Sequence, residues 1–564
     1  MFAKTTADFA ANEIMPVVKD LEIPEKKSPL NVELLRKCAD LGLLSVEIPE
    51  RYSGLELDKA TAMLIMEKMS PTGSFATSFG AHAGIGTLPI VFFGTEEQKQ
   101  KYLPKLAAGE LIGAYALTEP WAGSDAMALR ATAVLTEDGQ HWILNGTKQF
   151  ITNAGFADLF TVFAKIDGKD ITAFLIEKGT PGLSTGPEEK KMGIHGSSTT
   201  QLIMEDVKIP VDNVLGERGR GHLIAFNILN LGRLKLGAGA LGGAKEVIRE
   251  SIKYGLEREQ FNTPLVNFGM IREKIADMVI QTFVGETMSY RTVGMIDDRL
   301  AGIDWKSPTA AQDTMKGIEE YQIECSMIKV FGSEALDLCA DEGLQILGGY
   351  GYLEEYPMEA IYRDSRINRL YEGTNEINRL IIPGTLLKWA MKGRIPLLKA
   401  AKKLFEELTE LPAYGGDEPS GFMAVEQKLV NGVKKVALMT SGMAAQKYGD
   451  KLMMHQMVMA PLADIAIMAF AMESVWARAH KLNAKGSRKA ALAEAIARAY
   501  IEEAAGHVEL LARKLIAALS EGDMLQINFG AIRRFLKHNP ADTIVLKDQI
   551  AKAAIDAMGY PFAY

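Results

Sequence analysis

Tyr371-Glu372-Gly373-Thr374 is the stretch in which residue type and spacing speak most directly of chemistry. A carboxylate between an aromatic ring and a glycine has an apolar wall on one side and room for close backbone approach on the other. That setting suits a general base working with water excluded. The stretch follows Arg363-Asp364-Ser365-Arg366-Ile367-Asn368-Arg369-Leu370. Two distant regions, near residues 115–125 and 233–261, carry the groups that would bring such a base its reactants.

The first is Tyr115-Ala116-Leu117-Thr118-Glu119-Pro120-Trp121-Ala122-Gly123-Ser124-Asp125, a strand-like start running into a Pro/Gly/Ser turn. Such a loop offers amides and hydroxyls to a polar ring edge or a phosphate, and on its own it also reads as a surface turn. Gln149-Phe150-Ile151-Thr152-Asn153 adds a hydroxyl beside an aromatic at a strand end. Arg233 precedes Gly237-Ala238-Gly239-Ala240-Leu241-Gly242. This matches GxGxxG but lies inside a helical pattern with no preceding strand, so we read helix packing rather than a dinucleotide fold. Arg258-Glu259-Gln260-Phe261 pairs a cation with an aromatic at a helix end, suited to a diphosphate and a purine or simply to the helix dipole. Gln345-Ile346-Leu347-Gly348-Gly349-Tyr350-Gly351 permits close backbone approach to a ligand, or is a plain interhelical loop.

The elements that must position these residues fall into four regions. Residues 1–112 are mostly helical: 31–42 has apolar residues at helical spacing and ends in glycine, and Thr95-Glu96-Glu97-Gln98 reads as an N-cap. Residues 113–220 carry short β-rich runs at 131–135, 142–144, 159–164 and 172–176, with turns at 137–139 and 167–169, which predicts a small barrel or sandwich. Residues 221–393 predict a bundle of four long helices. Residues 394–564 predict a further helical region entered through a loop at 411–421. The fold class is therefore multidomain α+β.

Composition bounds the rest. With 564 residues, 48% hydrophobic and 24% charged, the chain has material for three or four domains and a large core. A net charge of −8 argues against a nucleic-acid partner. Three cysteines without CxxC spacing and eight scattered histidines without HExxH point to a reducing compartment and to no metal site. Charged residues interrupt the first segment, so we expect no targeting signal and a cytoplasmic protein, or the mitochondrial matrix if a presequence is missing. The longest apolar stretch, 457–472, contains Pro461 and Asp464 and is too short and polar for a membrane span.

Taken in order, Leu117-Thr118-Glu119-Pro120 with Gly123-Ser124-Asp125, Phe150-Ile151-Thr152-Asn153, Arg258-x-x-Phe261, Gln345-x-x-Gly348-Gly349-x-Gly351 and Tyr371-Glu372-Gly373-Thr374 resemble the acyl-CoA dehydrogenase family over about residues 1–390. Glu189-Lys190-Lys191-Met192-Gly193-Ile194 and the helical tail resemble its very-long-chain branch. The resemblance implies FAD held between the β-domain and the bundle, partly across a subunit interface, in a homodimer or tetramer. It assigns Thr118, Ser124, Thr152, Gln345, Gly349, Thr374 and Glu376 to the flavin and Arg258 and Phe261 to the FAD of a partner subunit. It gives Arg233, Ser124, Tyr371 and Gly373 to the acyl-CoA. Phe150, Trp121 and Asn262 depart from the common pattern. Some relatives carry the base just before the position of Arg233, where this chain has Gly232, which favours Glu372.

The implied reaction is α,β-dehydrogenation of a fatty acyl-CoA to trans-2-enoyl-CoA. Glu372 removes the α-proton and hydride leaves the β-carbon for FAD. The thioester carbonyl would be polarised by the Glu372 amide and a flavin ribityl hydroxyl, at about 3 kcal/mol per donor. Electron-transferring flavoprotein is the expected acceptor. Small side chains at 80–86 suggest a deep pocket and a long chain, or close helix packing. The basic, amphipathic stretch 395–405 suggests a peripheral membrane contact or a packed helix, and six methionines at 453–472 an adaptable core. A non-catalytic scaffold on the same fold and an acyl-CoA oxidase are the competing readings.

Overall fold

The structure is a computed structural model that describes residues 1–409 and 420–563. The loop expected at 411–421 falls, except for its last two residues, outside the described residues. The chain divides into two compact units. One contains Met1–Gly243, Thr292–Cys325 and Ala360–Glu372; the other contains Ala244–Arg291, Ser326–Glu359 and Gly373–Tyr564. As expected, the fold class is multidomain α+β.

The first unit opens with helices Phe2–Phe9, Pro24–Asp40, Lys59–Met69, Ser74–Gly80, Leu88–Phe93 and Glu96–Ala107. Their apolar faces share a core that includes Ile14, Leu21, Leu34, Leu35, Phe75 and Phe79. The predicted helix at 31–42 begins earlier, at Pro24, because proline suits a first helical turn. It stops before Gly42, which turns left-handed at φ 74°. Thr95 and Gln98 form a reciprocal capping box. The small-sided stretch 81–86 winds as a π-helix behind Ser74–Gly80. There His82 is buried, with Nδ1 accepting from Gly113 N–H and Nε2 at the Leu106 carbonyl. Burial pushes its pKa down to about 4.

The middle of the first unit is an eight-stranded sheet: β1 Gly113–Ala116, β2 Thr132–Leu135, β3 His141–Thr152, β4 Leu159–Ile166, β5 Asp170–Glu177, β6 Leu183–Thr185, β7 Thr199–Pro210 and β8 Val214–Leu215. The order is β6-β7-β3-β2-β4-β5-β8, with β1 parallel to β4. Among the described residues its hydrogen-bonded path ends at β6 and β8 and does not close, so the expected barrel is an open sheet in its pairing. The longest pairing, β3 with β7, shifts register between Lys148 and Ile151. Trp142, Leu144, Phe160, Phe174, Leu202 and Met204 form the core of this sheet.

Four long helices carry residues 221–391: Gly221–Glu257, Gly269–Leu300, Gln322–Leu347 and Asn375–Met391. The second unit adds Leu397–Thr409, Ala424–Tyr448, Gln456–Ala484, Ala490–Leu519, Gly522–Phe535 and Thr543–Asp556. The amphipathic Leu397–Thr409 helix packs on its neighbour: a Cβ at Gly442 would lie 2.9 Å from the Ala401 Cβ. Of the methionines expected in a core, Met459 and Met472 are buried, but Met453, Met454 and Met457 are exposed, because they fall in a turn and at a helix start. Among the described residues two helical stretches, Ser74–Phe93 and Gln456–Ala484, are long and apolar enough to cross a membrane. The second is longer than the 457–472 stretch suggested. Both are mostly buried, as core helices are.

Candidate active site

Glu372 follows the helix Pro357–Ser365 and the 3-10 turn Arg366–Arg369. The chain reverses there through two left-handed residues, Glu372 at φ 57° and Gly373 at φ 80°. For glutamate this costs about 1–2 kcal/mol, so the surroundings must hold it. In the first unit Arg233 Nε donates to the Glu372 carbonyl at 3.2 Å, and Nη1 donates to Asn230 Oδ1 at 3.0 Å. Asn230 and Arg233 are buried, one turn apart on the helix Gly221–Glu257. Arg233 was expected at the CoA moiety; its guanidinium is bonded to the backbone of the candidate base. In the second unit Lys329, fully buried, donates to the Gly373 carbonyl at 2.8 Å and to Asn375 Oδ1 at 2.7 Å. Two successive carbonyls are thus each held by a buried cation.

Gly232 decides where the carboxyl lies. A Cβ at 232 would sit 2.5 Å from Glu372 Oε2 and 2.8 Å from Cδ. The carboxyl therefore fits only over a glycine. Two tyrosines share its surroundings. Burial first, and then the charge of Glu372, push the phenol pKa of Tyr115 and of Tyr371 upward. Tyr371 donates to Asn368 Oδ1 at 2.9 Å. The buried Tyr115 hydroxyl has no hydrogen-bond partner among the described residues.

The segment leading to Glu372 is clipped to the loop after β6. Asp364 accepts from the Ile194 amide, and Arg363 Nη1 donates to the Met192 carbonyl at 3.0 Å. A side chain at Gly193 would meet Arg363 and Asp364 within 2.7 Å. Burial raises the Asp364 pKa from 3.8 to about 6.

Family profiles match most of the chain. "Acyl-CoA dehydrogenase, N-terminal domain" covers residues 1–110, "Acyl-CoA dehydrogenase, middle domain" 114–207, and two profiles named "Acyl-CoA dehydrogenase, C-terminal domain" cover 219–387 and 432–534. A "Probable acyl-CoA dehydrogenase" of Bacillus subtilis is 48% identical over 562 residues, 99% of this chain and 94% of that protein. This chain belongs to the acyl-CoA dehydrogenase family. The human mitochondrial "Very long-chain specific acyl-CoA dehydrogenase" is 40% identical over 61% of this chain and 51% of its own length. Among solved structures, an acyl-CoA dehydrogenase from Bacillus anthracis complexed with FAD superposes with a TM-score of 0.96 at 48% identity, covering 99% of this chain and 95% of that one. Butyryl-CoA dehydrogenase from Megasphaera elsdenii superposes at 0.61 and 34% identity, over 68% and 97%.

Each unit carries residues expected at a flavin. In the first, Gln149 N–H donates to the Thr118 carbonyl at 2.8 Å, which lays the 118–125 loop along β3. Thr118 and Thr152 are half-buried and Ser124 is exposed. Between them Trp121 is 50% and Phe150 61% exposed, and Phe150 is left-handed (φ 59°) at the register shift of β3. Open aromatic faces beside hydroxyls suit a flat ring with a polar edge. In the second unit the strands β9 Glu259–Gln260 and β10 Thr263–Pro264 enclose Phe261 and Asn262, both left-handed at φ 52° and 57°. Such a two-residue hairpin wants positive φ twice, so Asn262 tolerates the place where glycine is frequent. Phe261 at its tip is 90% exposed, and the guanidinium of Arg258 lies 5.7 Å from the Tyr350 ring centroid. Gln345 is exposed in the last turn of its helix, and a Cβ at Gly349 would meet nothing within 4 Å. Thr374 caps the following helix by accepting from Ile377 N–H at 3.2 Å. Glu376 lies in its first turn, its pKa held down by its own backbone amide and Thr374.

The GxGxxG glycines lie within the helix Gly221–Glu257, and a Cβ at Gly242 would be 2.0 Å from the Glu67 carbonyl oxygen, so that glycine serves close helix packing. Lys148, Lys329 and the role of Glu119 escaped the sequence reading. A buried lysine has no local sequence signature, and Glu119 looked like one polar residue of a surface turn.

Proposed function

We propose that this protein carries out FAD-dependent α,β-dehydrogenation of long-chain fatty acyl-CoA thioesters to trans-2-enoyl-CoA, with electron-transferring flavoprotein as acceptor. The observation that carries the assignment is the Glu372 carboxyl laid over Gly232 while Arg233 fixes its backbone. In the first unit Thr118, Ser124 and Thr152 are the FAD contacts of this proposal; in the second they are Gln345, Gly349, Thr374 and Glu376. Arg258 and Phe261, a cation and a 90% exposed aromatic, reach the FAD of a second subunit in a homodimer. Ser124, Tyr371 and Gly373 line the thioester site. Arg233 acts on the substrate through the base it positions. The bound FAD supplies the acceptor for the hydride that leaves the β-carbon.

The protein's own part is proton transfer and orientation. Glu372 takes the α-proton, and the left-handed turn presents its amide to the thioester carbonyl. The buried Tyr115 and the half-buried Tyr371 limit the water around the carboxyl. The Bacillus relative supports a cytoplasmic protein. The amphipathic Leu397–Thr409 helix packs on its neighbour through Ala401, which favours a packed element over a peripheral membrane contact. The test is to titrate the purified protein with acyl-CoAs of graded length and follow the flavin absorbance. Bleaching that is strongest with long chains is expected; no bleaching with any thioester would overturn the assignment in favour of a scaffold.

A further inference from the structure

Glu119 and Lys148 form an ion pair at 2.7 Å in which both side chains are 0% exposed. Each also holds backbone. Glu119 accepts from Trp121 Nε1 at 2.8 Å, Arg130 N–H at 2.6 Å and Ala131 N–H at 3.0 Å. Lys148 Nζ also donates to the Leu117 carbonyl at 3.3 Å. The pair therefore joins both ends of the 117–131 loop to β3, one step before Gln149 donates to Thr118 and two before the left-handed Phe150. Besides the pair, the Gln149–Thr118 backbone bond and the β2–β3 pairing that begins at Thr132 tie the loop that carries Thr118, Trp121 and Ser124 to the strand that carries Phe150 and Thr152.

We propose that Glu119 and Lys148 are positioning residues whose buried ion pair fixes the 117–131 loop and the end of β3 as one rigid flavin-binding face. Neither residue touches the reacting atoms. The inference rests on the FAD assignment above. A buried pair of this kind adds little net stability over an apolar pair, but removing one partner strands a charge, so its place here is geometric. The groups that act on Lys148 are its own burial and Glu119; on Glu119 they are burial, Lys148 and the amides of Arg130 and Ala131. The Arg130 guanidinium is turned over the Trp121 ring at 5.1 Å. Burial brings the Lys148 pKa down to about 8 even with its partner present.

The test is FAD titration of apoprotein, read by quenching of flavin fluorescence, for Glu119→Gln, Lys148→Met and the double variant. Glu47→Gln serves as control, since Glu47 is a buried carboxylate of the same unit paired with Lys59 and Lys235. We expect Glu119→Gln to weaken FAD at least about 10-fold at pH 7, and more than the control does at an equal loss of Tm. Removing Glu119 takes away what holds the Lys148 pKa up, so the stranded lysine sheds its proton below about pH 8; FAD affinity of Glu119→Gln should be weakest near pH 6 and recover by about pH 8 while that of Lys148→Met should not. The double variant should bind better than Glu119→Gln at pH 7. Should Glu119→Gln not fold, Glu119→Asp keeps the charge but shortens its reach, and a shifted flavin absorption spectrum is the expected result. Wild-type affinity in the single variants, or a loss no greater than the control's, would overturn the pair's role and leave the FAD assignment standing. Wild-type protein that takes up no FAD would overturn both.

Discussion

Glu119 and Glu372 are both motif glutamates in the first unit, and the structure holds them in opposite ways. Glu119 is gripped by its carboxylate, which receives Lys148, Trp121 and two backbone amides. Glu372 is gripped by its backbone, through Arg233, while its carboxyl rests against a residue without a side chain. A carboxylate saturated with donors is a poor base and a good anchor. Glu372 is fixed through its backbone instead, at the cost of a strained φ that buried neighbours must hold.

The contrast is best challenged at Glu372 itself. Glu372→Gln should keep FAD and the fold and lose more than about 1000-fold in turnover, measured with a long-chain acyl-CoA and an artificial acceptor. Next comes Gly232→Ala. Its methyl would displace the Glu372 carboxyl, and we expect a loss of about 100-fold in kcat with FAD content unchanged, because misplacing a base by an ångström has that effect. A near-normal kcat would mean the carboxyl works from elsewhere.

How much of this could be read in advance divides along the same line. The motifs that carry Glu372, Gly232 and the aromatic and hydroxyl positions could be picked out because they are local in sequence; their roles belong to the proposed function. The helix at 31–42 was legible from periodicity, and the helix start at Thr95 from its cap. What holds these residues was not. Nothing local shows that Arg233 folds back onto Glu372, 139 residues away. The length of β3 and β7, and the bulge that exposes Phe150, depend on pairing between strands about fifty residues apart, which the alternation of short runs does not reveal. The exposed Met453, Met454 and Met457 were misplaced because composition says nothing of where a helix starts.

Smaller effects separate anchoring from chemistry. In the second unit Glu286 is 2% exposed and binds Lys245 and Arg478, and the Arg478 guanidinium lies 5.3 Å from the Phe562 ring. Arg478→Met should cost about 3 kcal/mol of stability by denaturant unfolding and leave kcat per bound flavin unchanged. Asp364 gives the weakest signal. Its folded pKa, about 6, lies above the ordinary 3.8, so the folded state holds the extra proton between those values and stability falls as pH rises through that window. Asp364→Asn should flatten the dependence of Tm on pH between 4 and 6, and an unchanged slope would assign it to another group.

Proton removal by Glu372 is tested most directly by α-deuterated acyl-CoA incubated anaerobically with the flavin-loaded protein and followed by mass spectrometry. Wild-type protein should release the α-deuteron to solvent, and Glu372→Gln should release essentially none while binding the thioester normally. Deuteron release by Glu372→Gln at the wild-type rate would contradict the assignment of the base.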